Sequence, residues 1–196
     1  AVTAPISLVV SAFAPVADVR RTLTPWLPQD DGVLSLVLVD LAGGLRRLGG
    51  SALAQVFGQL GNKAPDLDDP QRLASFFAFI QHHAKQGEII AYHDVADGGL
   101  FAALAEMAFA NHCGLDITLD GIAAGTLPAL FAEELGAVVA VRVDDAAALV
   151  RAARDAGLAA GVVGTRNATD RVTIMHRGSV VLDEARVDLQ RAWSAT

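Results

Sequence analysis

Residues 93–100, His-Asp-Val-Ala-Asp-Gly-Gly-Leu, combine residue types that bind metal ions and phosphates. Asp94 and Asp97 are two carboxylates three residues apart, and Mg2+ prefers such hard oxygen ligands. Gly98 and Gly99 precede an apolar stretch, and glycines that open a helix leave backbone N–H groups that suit an anion such as phosphate. The pattern therefore predicts a site for Mg2+ and a phosphate-bearing ligand.

The same residues also have a purely structural interpretation. Asp97 could be the N-cap of the following helix, since Asp accepts hydrogen bonds from the first helical N–H groups. Gly98 and Gly99 could form a tight turn, and Asp94 could be an ordinary exposed residue at a strand end. On spacing alone this interpretation is favoured, because an Asp-Gly-Gly turn is a common signal.

The segments on either side of the motif predict a strand followed by a helix. Residues 89–92 are a short apolar run that favours a buried strand, and residues 100–110 repeat Leu100, Leu104 and Met107 along one helical face. The motif is thus expected where a strand ends and a helix begins. Ligands of open α/β sheets collect at such carboxyl ends of strands.

Periodicity along the rest of the chain predicts further alternation of strands and helices. Strands are expected at residues 6–14, 33–41, 115–119, 137–143, 161–164, 171–176 and 179–183. Helices are expected at residues 17–23, 51–60, 70–84, 127–135, 144–157 and 184–193. The strongly apolar strand 33–41 is expected inside the sheet, and the last three strands are expected to form a meander. The fold class is therefore α/β (α+β), a mixed β-sheet packed with helices.

Length and composition indicate one globular domain, residues 1–196, in which residues 1–60 could be a smaller lobe. The 196 residues are 53% hydrophobic and 19% charged, with a net charge of −7 and no basic run, so nucleic-acid binding is not expected. No apolar run reaches the roughly 20 residues that cross a bilayer, and no membrane association is expected. Because the chain starts with Ala1 and not with Met, we expect it to be a piece excised from a longer enzyme.

A weaker phosphate candidate is Gly49-Gly50-Ser51, which opens a predicted helix. The favoured interpretation of Ser51 is a plain N-cap. His82 and His83 are adjacent and point in different directions from a helix, so they are expected to be exposed and not to share a metal ion.

Three further residues receive structural interpretations. Cys113, the only cysteine, excludes an internal disulfide and is assigned to core packing. Gly114 is expected to be the left-handed residue that ends the preceding helix. His176 is expected at the surface.

The motif is part of a longer pattern that resembles phosphoribosylformylglycinamidine synthase, in particular the large bacterial form. Residues 92–100, 105–110 and 113–115 carry the resemblance, and residues 2–8, 53–56 and 130–136 agree with it in the same order along the chain. The chain is most similar to the second C-terminal half of the aminoimidazole ribonucleotide synthetase-like repeat of that enzyme.

The resemblance implies a fold similar to the C-terminal domain of aminoimidazole ribonucleotide synthetase. It also implies an ATP-dependent, cytoplasmic ligase of purine biosynthesis, in which ammonia from glutamine replaces the formyl oxygen of formylglycinamide ribonucleotide. Its partners would be the rest of the same polypeptide, a nucleotide-binding half and a glutaminase domain, with Mg2+ and ATP/ADP as cofactors. The resemblance assigns no catalytic residue to this chain, Cys113 included, and the isolated fragment is expected to be inactive.

The residue roles implied by the resemblance are narrow. Asp94 matches a family position that gives a carboxylate to Mg2+, and Ala96 matches one that contacts the nucleotide. Asp97, Gly98 and Gly99 of the same turn are the further candidates for nucleotide binding. In the large enzyme this second site is associated with a retained nucleotide of structural function. A bulky side chain at Gly99 would then cost ligand binding more than folding.

The chain departs from the family pattern at two positions. Val95 stands where an arginine is common, and Ala96 stands where a serine usually contacts the nucleotide. Since alanine has no hydroxyl group, only backbone contact remains at Ala96.

Two other functions stay open at this point. The chain could be the C-terminal half of another ATP-dependent member of the superfamily, of the selenophosphate synthetase or hydrogenase maturation type. It could also be a purely structural assembly domain without a ligand of its own.

Overall fold

The computed structural model describes residues 10–16, 18–29, 32–122 and 125–195. Within these ranges the strands are β1 (Leu34–Asp40), β2 (Ala91–Asp94), β3 (Gly114–Thr118), β4 (Gly136–Arg142), β5 (Ala159–Asn167), β6 (Arg171–His176) and β7 (Ser179–Ala185). The α-helices are α1 (Ala52–Val56), α2 (Pro70–Gln86), α3 (Gly99–Ala110), α4 (Thr126–Phe131), α5 (Val143–Asp155) and α6 (Arg186–Ser194), with a short 3-10 turn at Val19–Arg21.

The strands form one mixed seven-stranded sheet in the order β2-β4-β1-β5-β3-β6-β7. β3 and β6 run parallel, and the other neighbours are antiparallel. β1 lies in the interior of the sheet between β4 and β5, which confirms the prediction from its apolar run. The predicted fold class is therefore confirmed.

Both faces of the sheet are covered, and this explains why β1 and β4 read as continuous apolar runs. Successive side chains of a strand point to opposite faces. Leu36 and Val138 accordingly belong to one buried cluster with the helices α3 and α4, whereas Val37 and Val139 belong to a second cluster with α2 and α5.

Helix α2 begins where the sequence predicts and ends slightly later. Asp69 is its N-cap and accepts hydrogen bonds from the N–H groups of Gln71 and Arg72, and Pro70 occupies the first turn. The helix continues to Gln86, two residues beyond the expected end.

No helix in the described ranges is long and apolar enough to span a bilayer.

Several predicted elements differ from the structure. The predicted first strand is wrong where it can be compared, because residues 10–14 are exposed and outside the sheet, whereas residues 6–9 lie outside the described residues. The helix expected at 51–60 ends at Val56, and that expected at 127–135 ends at Phe131. The strand before the motif, expected at 89–92 and buried, is the short edge strand β2, which also includes His93 and Asp94.

The predicted terminal meander is also wrong. β3 lies between β5 and β6, so only β6 and β7 pair as consecutive strands. Gly114 is not the left-handed residue, which is His112 with φ 48°. A side chain at Gly114 would instead collide with the side chain of Asn167 and the backbone of Arg171, so close approach between strands requires the glycine.

Candidate functional site

The β2–α3 turn, residues 94–99, contains the motif that the sequence singled out. Asp94 is the last residue of β2, Gly98 is the N-cap of α3 and Gly99 is its first residue, so the predicted strand–turn–helix order is confirmed. The N–H group of Val95 donates to the carbonyl oxygen of Gly136 at 2.9 Å. The turn therefore stays attached to the beginning of β4.

The imidazole of His93 is held from two sides. Its Nδ1 lies 2.7 Å from the carbonyl oxygen of Asp94, and its Nε2 lies 2.7 Å from Oε2 of Glu106 on α3. The indole N–H of Trp193 on α6 donates to the other Glu106 oxygen at 3.1 Å. Since a carbonyl oxygen can only accept, Nδ1 carries a proton. These hydrogen bonds tie the backbone at Asp94 to α3 and α6.

The carboxylates of Asp94 and Asp97 face solvent. The Asp94 side chain is 69% exposed, and its carboxylate lies 4.0 Å from Nδ1 of His93. Asp97 is exposed too, and within the described part of the chain no group hydrogen-bonds its carboxylate. Burial raises the pKa of Tyr92, and the negative charge of Asp94 raises it further. Both aspartates are thus available to an added cation.

The interpretation of Asp97 as a helix cap is wrong. Gly98 occupies the N-cap position of α3 in the left-handed region, with φ 83°, and α3 has no side-chain cap hydrogen bond. Asp97 lies one residue too early along the chain for that role.

The backbone N–H groups of Gly98 and Gly99 already have acceptors within the chain. Gly98 donates to Oε1 of Glu133 at 2.8 Å, and Gly99 donates to the carbonyl oxygen of Ala96 at 2.9 Å. The expectation of free N–H groups at this pair is therefore wrong. The hydrogen bond from Gly99 to Ala96 closes a tight turn, as the structural interpretation expected. Ala96 itself is exposed.

Gly99 has a packing function that the sequence did not reveal. A Cβ atom at this position would lie 2.6 Å from the carbonyl oxygen of Leu130 and 2.9 Å from Cα of Phe131, and φ is +68°. The start of α3 thus approaches the end of α4 so closely that only glycine fits. A larger side chain here would disturb folding directly, contrary to the expectation that ligand binding suffers first.

The segment Gly49-Gly50-Ser51 also has its donors engaged. The N–H groups of Gly49 and Gly50 each donate to a carbonyl oxygen of the following loop at 2.7 Å. Ser51 is buried and is the N-cap of α1, where its Oγ accepts from the N–H of Ala54 at 3.2 Å. The N-cap interpretation is confirmed, and no donor of this glycine pair is left for phosphate.

Two adjacent glutamates between α4 and β4 are the residues that sequence reasoning missed. A single oxygen of Glu133, Oε1, accepts hydrogen bonds from the N–H groups of Gly98 and Ala52, both at 2.8 Å. The buried Glu134 accepts from Nε and Nη2 of Arg47 at 2.8 and 2.7 Å. The signal in the sequence is a pair of charges between an apolar helix and an apolar strand.

The contacts of Arg47 extend this connection to a second loop. Its guanidinium donates to Oδ2 of Asp68 at 2.7 Å and to the carbonyl oxygen of Asp66 at 3.1 Å. The hydrogen bond to Glu134 and, as the smaller cause, the one to Asp68 raise the pKa of the Arg47 guanidinium. Arg47 and Glu134 therefore fix the loop before α1 to the sheet.

The histidines outside the motif differ from their predicted positions in two cases. His176 is buried and its Nδ1 lies 2.8 Å from Oγ1 of Thr126, so the surface assignment is wrong. His83 is half-buried and its Nδ1 contacts a carboxylate oxygen of Glu88, whereas His82 is exposed as expected.

No group of three or more His, Cys, Asp or Glu side chains within the described ranges could hold a metal ion by itself. Cys113 is buried and unpaired, and burial raises the pKa of its thiol. Its assignment to core packing is confirmed. Any Mg2+ near Asp94 and Asp97 would need further oxygen ligands, such as phosphate oxygens and water.

The sequence matches the family described as AIR synthase related protein, C-terminal domain, over residues 35–177. The chain belongs to this family. The matched range begins in β1, ends just after β6, and includes both the β2–α3 turn and the Glu133–Glu134 pair.

Solved structures share the fold at low sequence identity. PurL of Thermotoga maritima complexed with ATP has a TM-score of 0.68 at 15% identity, over 86% of this chain and 27% of that chain. Phosphoribosylformylglycinamidine synthase II of Thermotoga maritima has a TM-score of 0.64 at 15% identity, over 84% of this chain and 26% of that chain. HypE, a hydrogenase maturation protein of Escherichia coli, has a TM-score of 0.53 at 20% identity, over 78% of this chain and 49% of that chain.

The chain thus spans about a quarter of the first two proteins and half of the third. All three likenesses establish the fold.

Proposed function

We propose that this chain is the second C-terminal half of a large phosphoribosylformylglycinamidine synthase. In that enzyme ammonia from glutamine replaces the formyl oxygen of formylglycinamide ribonucleotide at the expense of ATP. The family membership, the match of the motif and its neighbouring stretches, and the fold shared with PurL support the proposal. The single domain boundary at residues 1–196 and a cytoplasmic location stay predictions.

The role of the chain in that enzyme would be one side of a Mg-nucleotide site at the β2–α3 turn. The observation that carries this proposal is that the Asp94 carboxylate is exposed and accepts no hydrogen bond from the described residues. His93 holds the backbone of Asp94 in place by a hydrogen bond to its carbonyl oxygen. Mg2+ is usually bound by one or two carboxylates together with phosphate oxygens and water. Asp94 therefore fits as a protein ligand, and Asp97 is a second carboxylate within the same turn.

The nucleotide would contact the turn through its backbone and not through a hydroxyl group, because position 96 is alanine. Gly98 and Gly99 remain proposed contacts, and any such contact has to share their N–H groups with Glu133 and Ala96. The remaining contacts would come from the other half of the repeat. This arrangement suits a tightly retained nucleotide that stabilises the assembly.

The test of the metal role is Asp94→Asn in the full-length protein. Removing the charged oxygen should weaken Mg-nucleotide retention, measured as nucleotide released on denaturing the purified protein. Asp155→Asn is the matched control, since Asp155 is an exposed aspartate at the end of α5, far along the chain from the turn. Equal occupancy in parent and Asp94→Asn would exclude Asp94 as a ligand.

The test of the reaction is glutamine-dependent conversion of formylglycinamide ribonucleotide by the full-length protein. The isolated 196-residue chain should turn over neither glutamine nor ATP. A full-length protein that retains nucleotide but does not convert this substrate would point to another member of the superfamily, such as a hydrogenase maturation protein. A protein without nucleotide or activity would favour the assembly domain.

A further inference from the structure

Glu133 connects two helices that carry separate candidate segments. Its Oε1 accepts the N–H of Gly98, the N-cap of α3, and the N–H of Ala52, the first residue of α1. The first N–H groups of a helix have no partner within the helix. One carboxylate oxygen therefore satisfies two such donors from elements that are distant along the chain.

The charge of this glutamate suits its position. The amino-terminal ends of helices carry partial positive charge, and a carboxylate near them is stabilising. Hydrogen bonds from N–H groups to a charged oxygen are stronger than those to a neutral one. Because α3 has no side-chain cap of its own, the Glu133 carboxylate takes that function from outside the helix.

The neighbours of Glu133 leave little freedom at this corner. Gly99 packs directly against the backbone of Leu130 and Phe131, at the end of the helix that precedes Glu133. On the other side, Glu134 holds Arg47 and hence the loop that leads to Ala52. The N–H of Arg47 itself donates to Glu134 Oε1 at 2.8 Å.

From this geometry we infer that Glu133 is a positioning residue for the ligand site at Asp94. It acts through the N–H groups of Gly98 and Ala52 and not as a ligand-binding group itself. It fixes the β2–α3 turn against the segment before α1, so that Asp94 and the Ala96 backbone keep one position relative to the sheet. The inference rests on the proposed Mg-nucleotide site and adds the residue on which the geometry of that site depends.

The test compares Glu133→Ala and Glu133→Gln in the full-length protein. The alanine variant leaves the Gly98 and Ala52 donors without an acceptor, whereas the glutamine variant keeps a side-chain oxygen in the same place. Hydrogen–deuterium exchange of peptides covering residues 47–53 and 94–99 should accelerate together in Glu133→Ala and stay near the parent in Glu133→Gln.

Nucleotide affinity provides the second measurement. The Kd for Mg-ATP should rise on the order of tenfold in Glu133→Ala, as expected when two N–H donors lose their acceptor, and glutamine, which keeps an acceptor oxygen, should restore most of the affinity. The control is Leu182→Ala, which removes a partly buried side chain on β7 and destabilises the fold away from the turn. That variant should leave the Kd for Mg-ATP unchanged.

Two results would overturn the inference while leaving the proposed function intact. One is a parent-like Kd in Glu133→Ala, and the other is an equal loss of affinity in Leu182→Ala, which would reduce the effect to general stability. If the parent binds no Mg-nucleotide, the proposed function fails and the positioning role with it. The exchange data would then show separately whether Glu133 links the two segments.

Discussion

The β2–α3 turn and the turn between α4 and β4 each carry two carboxylates, but in opposite surroundings. The side chains of Asp94 and Asp97 are exposed, and their carboxylates accept no hydrogen bond from the described residues. Glu133 and Glu134 are half-buried or buried and accept hydrogen bonds from backbone N–H groups and from Arg47. The first pair is free to meet a ligand, whereas the second pair builds the frame on which the first is held.

The two turns meet at the same end of the sheet. Gly136, the first residue of β4, pairs with Asp40 of β1 on one side and accepts from the N–H of Val95 on the other. Glu133 and Glu134 immediately precede it along the chain. A carboxylate is thus a poor predictor of function by type alone, and its hydrogen-bond partners decide between ligand binding and architecture.

The largest effect is expected from Glu134→Ala. Glu134 is buried and accepts hydrogen bonds from both the backbone N–H and the guanidinium of Arg47, so alanine removes these bonds and leaves the half-exposed Asp68 as the anionic partner of Arg47. Urea denaturation of the chain measures the loss. The control is Asp183→Ala, which breaks a half-exposed pair with Arg171 and should leave the urea midpoint near that of the parent. Equal midpoints for the two variants would remove the contrast between the turns.

A smaller loss is expected from Gly99→Ala. The added Cβ would lie 2.6 Å from the Leu130 carbonyl oxygen, and the positive φ adds strain, together roughly 3 kcal/mol. Gly157→Ala is the matched control, because its φ is +78° and no atom lies within 4 Å of the added Cβ. That variant should lose only about 1 kcal/mol in the same denaturation experiment. If Gly99→Ala is as stable as the control but retains less nucleotide, the role of Gly99 is ligand binding and not packing.

The sequence predicted the β2–α3 turn well because its signals are local. A short apolar run, a glycine pair and a helical apolar face are adjacent along the chain, and they locate the ends of both elements. The N-cap functions of Asp69 and Ser51 could be predicted for the same reason. From residue 33 onward the type of each element followed from periodicity, whereas the insertion of β3 between β5 and β6 did not, because pairing order depends on contacts across the whole chain.

The partners of the candidate site could not be predicted from local patterns. Glu133 is separated by 35 residues from Gly98 and by 81 residues from Ala52. The same limitation applies to Gly99, since its neighbours on α4 are revealed only by the packing of two helices. An anion-binding pattern at a helix start predicts an acceptor nearby, but the acceptor here is supplied by the protein itself.

The smallest effect tests whether Asp94 carries a free negative charge. Tyr92 is the only tyrosine of the chain, so its ionisation can be followed by ultraviolet absorbance without interference from another phenol. Its pKa is raised by burial and, as the smaller cause, by the charge of Asp94. An anion nearby disfavours the tyrosinate, so Asp94→Asn should lower the pKa of Tyr92 without returning it to its ordinary value. Asp97→Asn, which removes the other exposed carboxylate of the turn, should leave the titration curve in place. If the pKa of Tyr92 is the same in Asp94→Asn and in the parent, the Asp94 charge is already compensated within the protein. The carboxylates of the two turns would then differ in exposure but not in their availability for a cation.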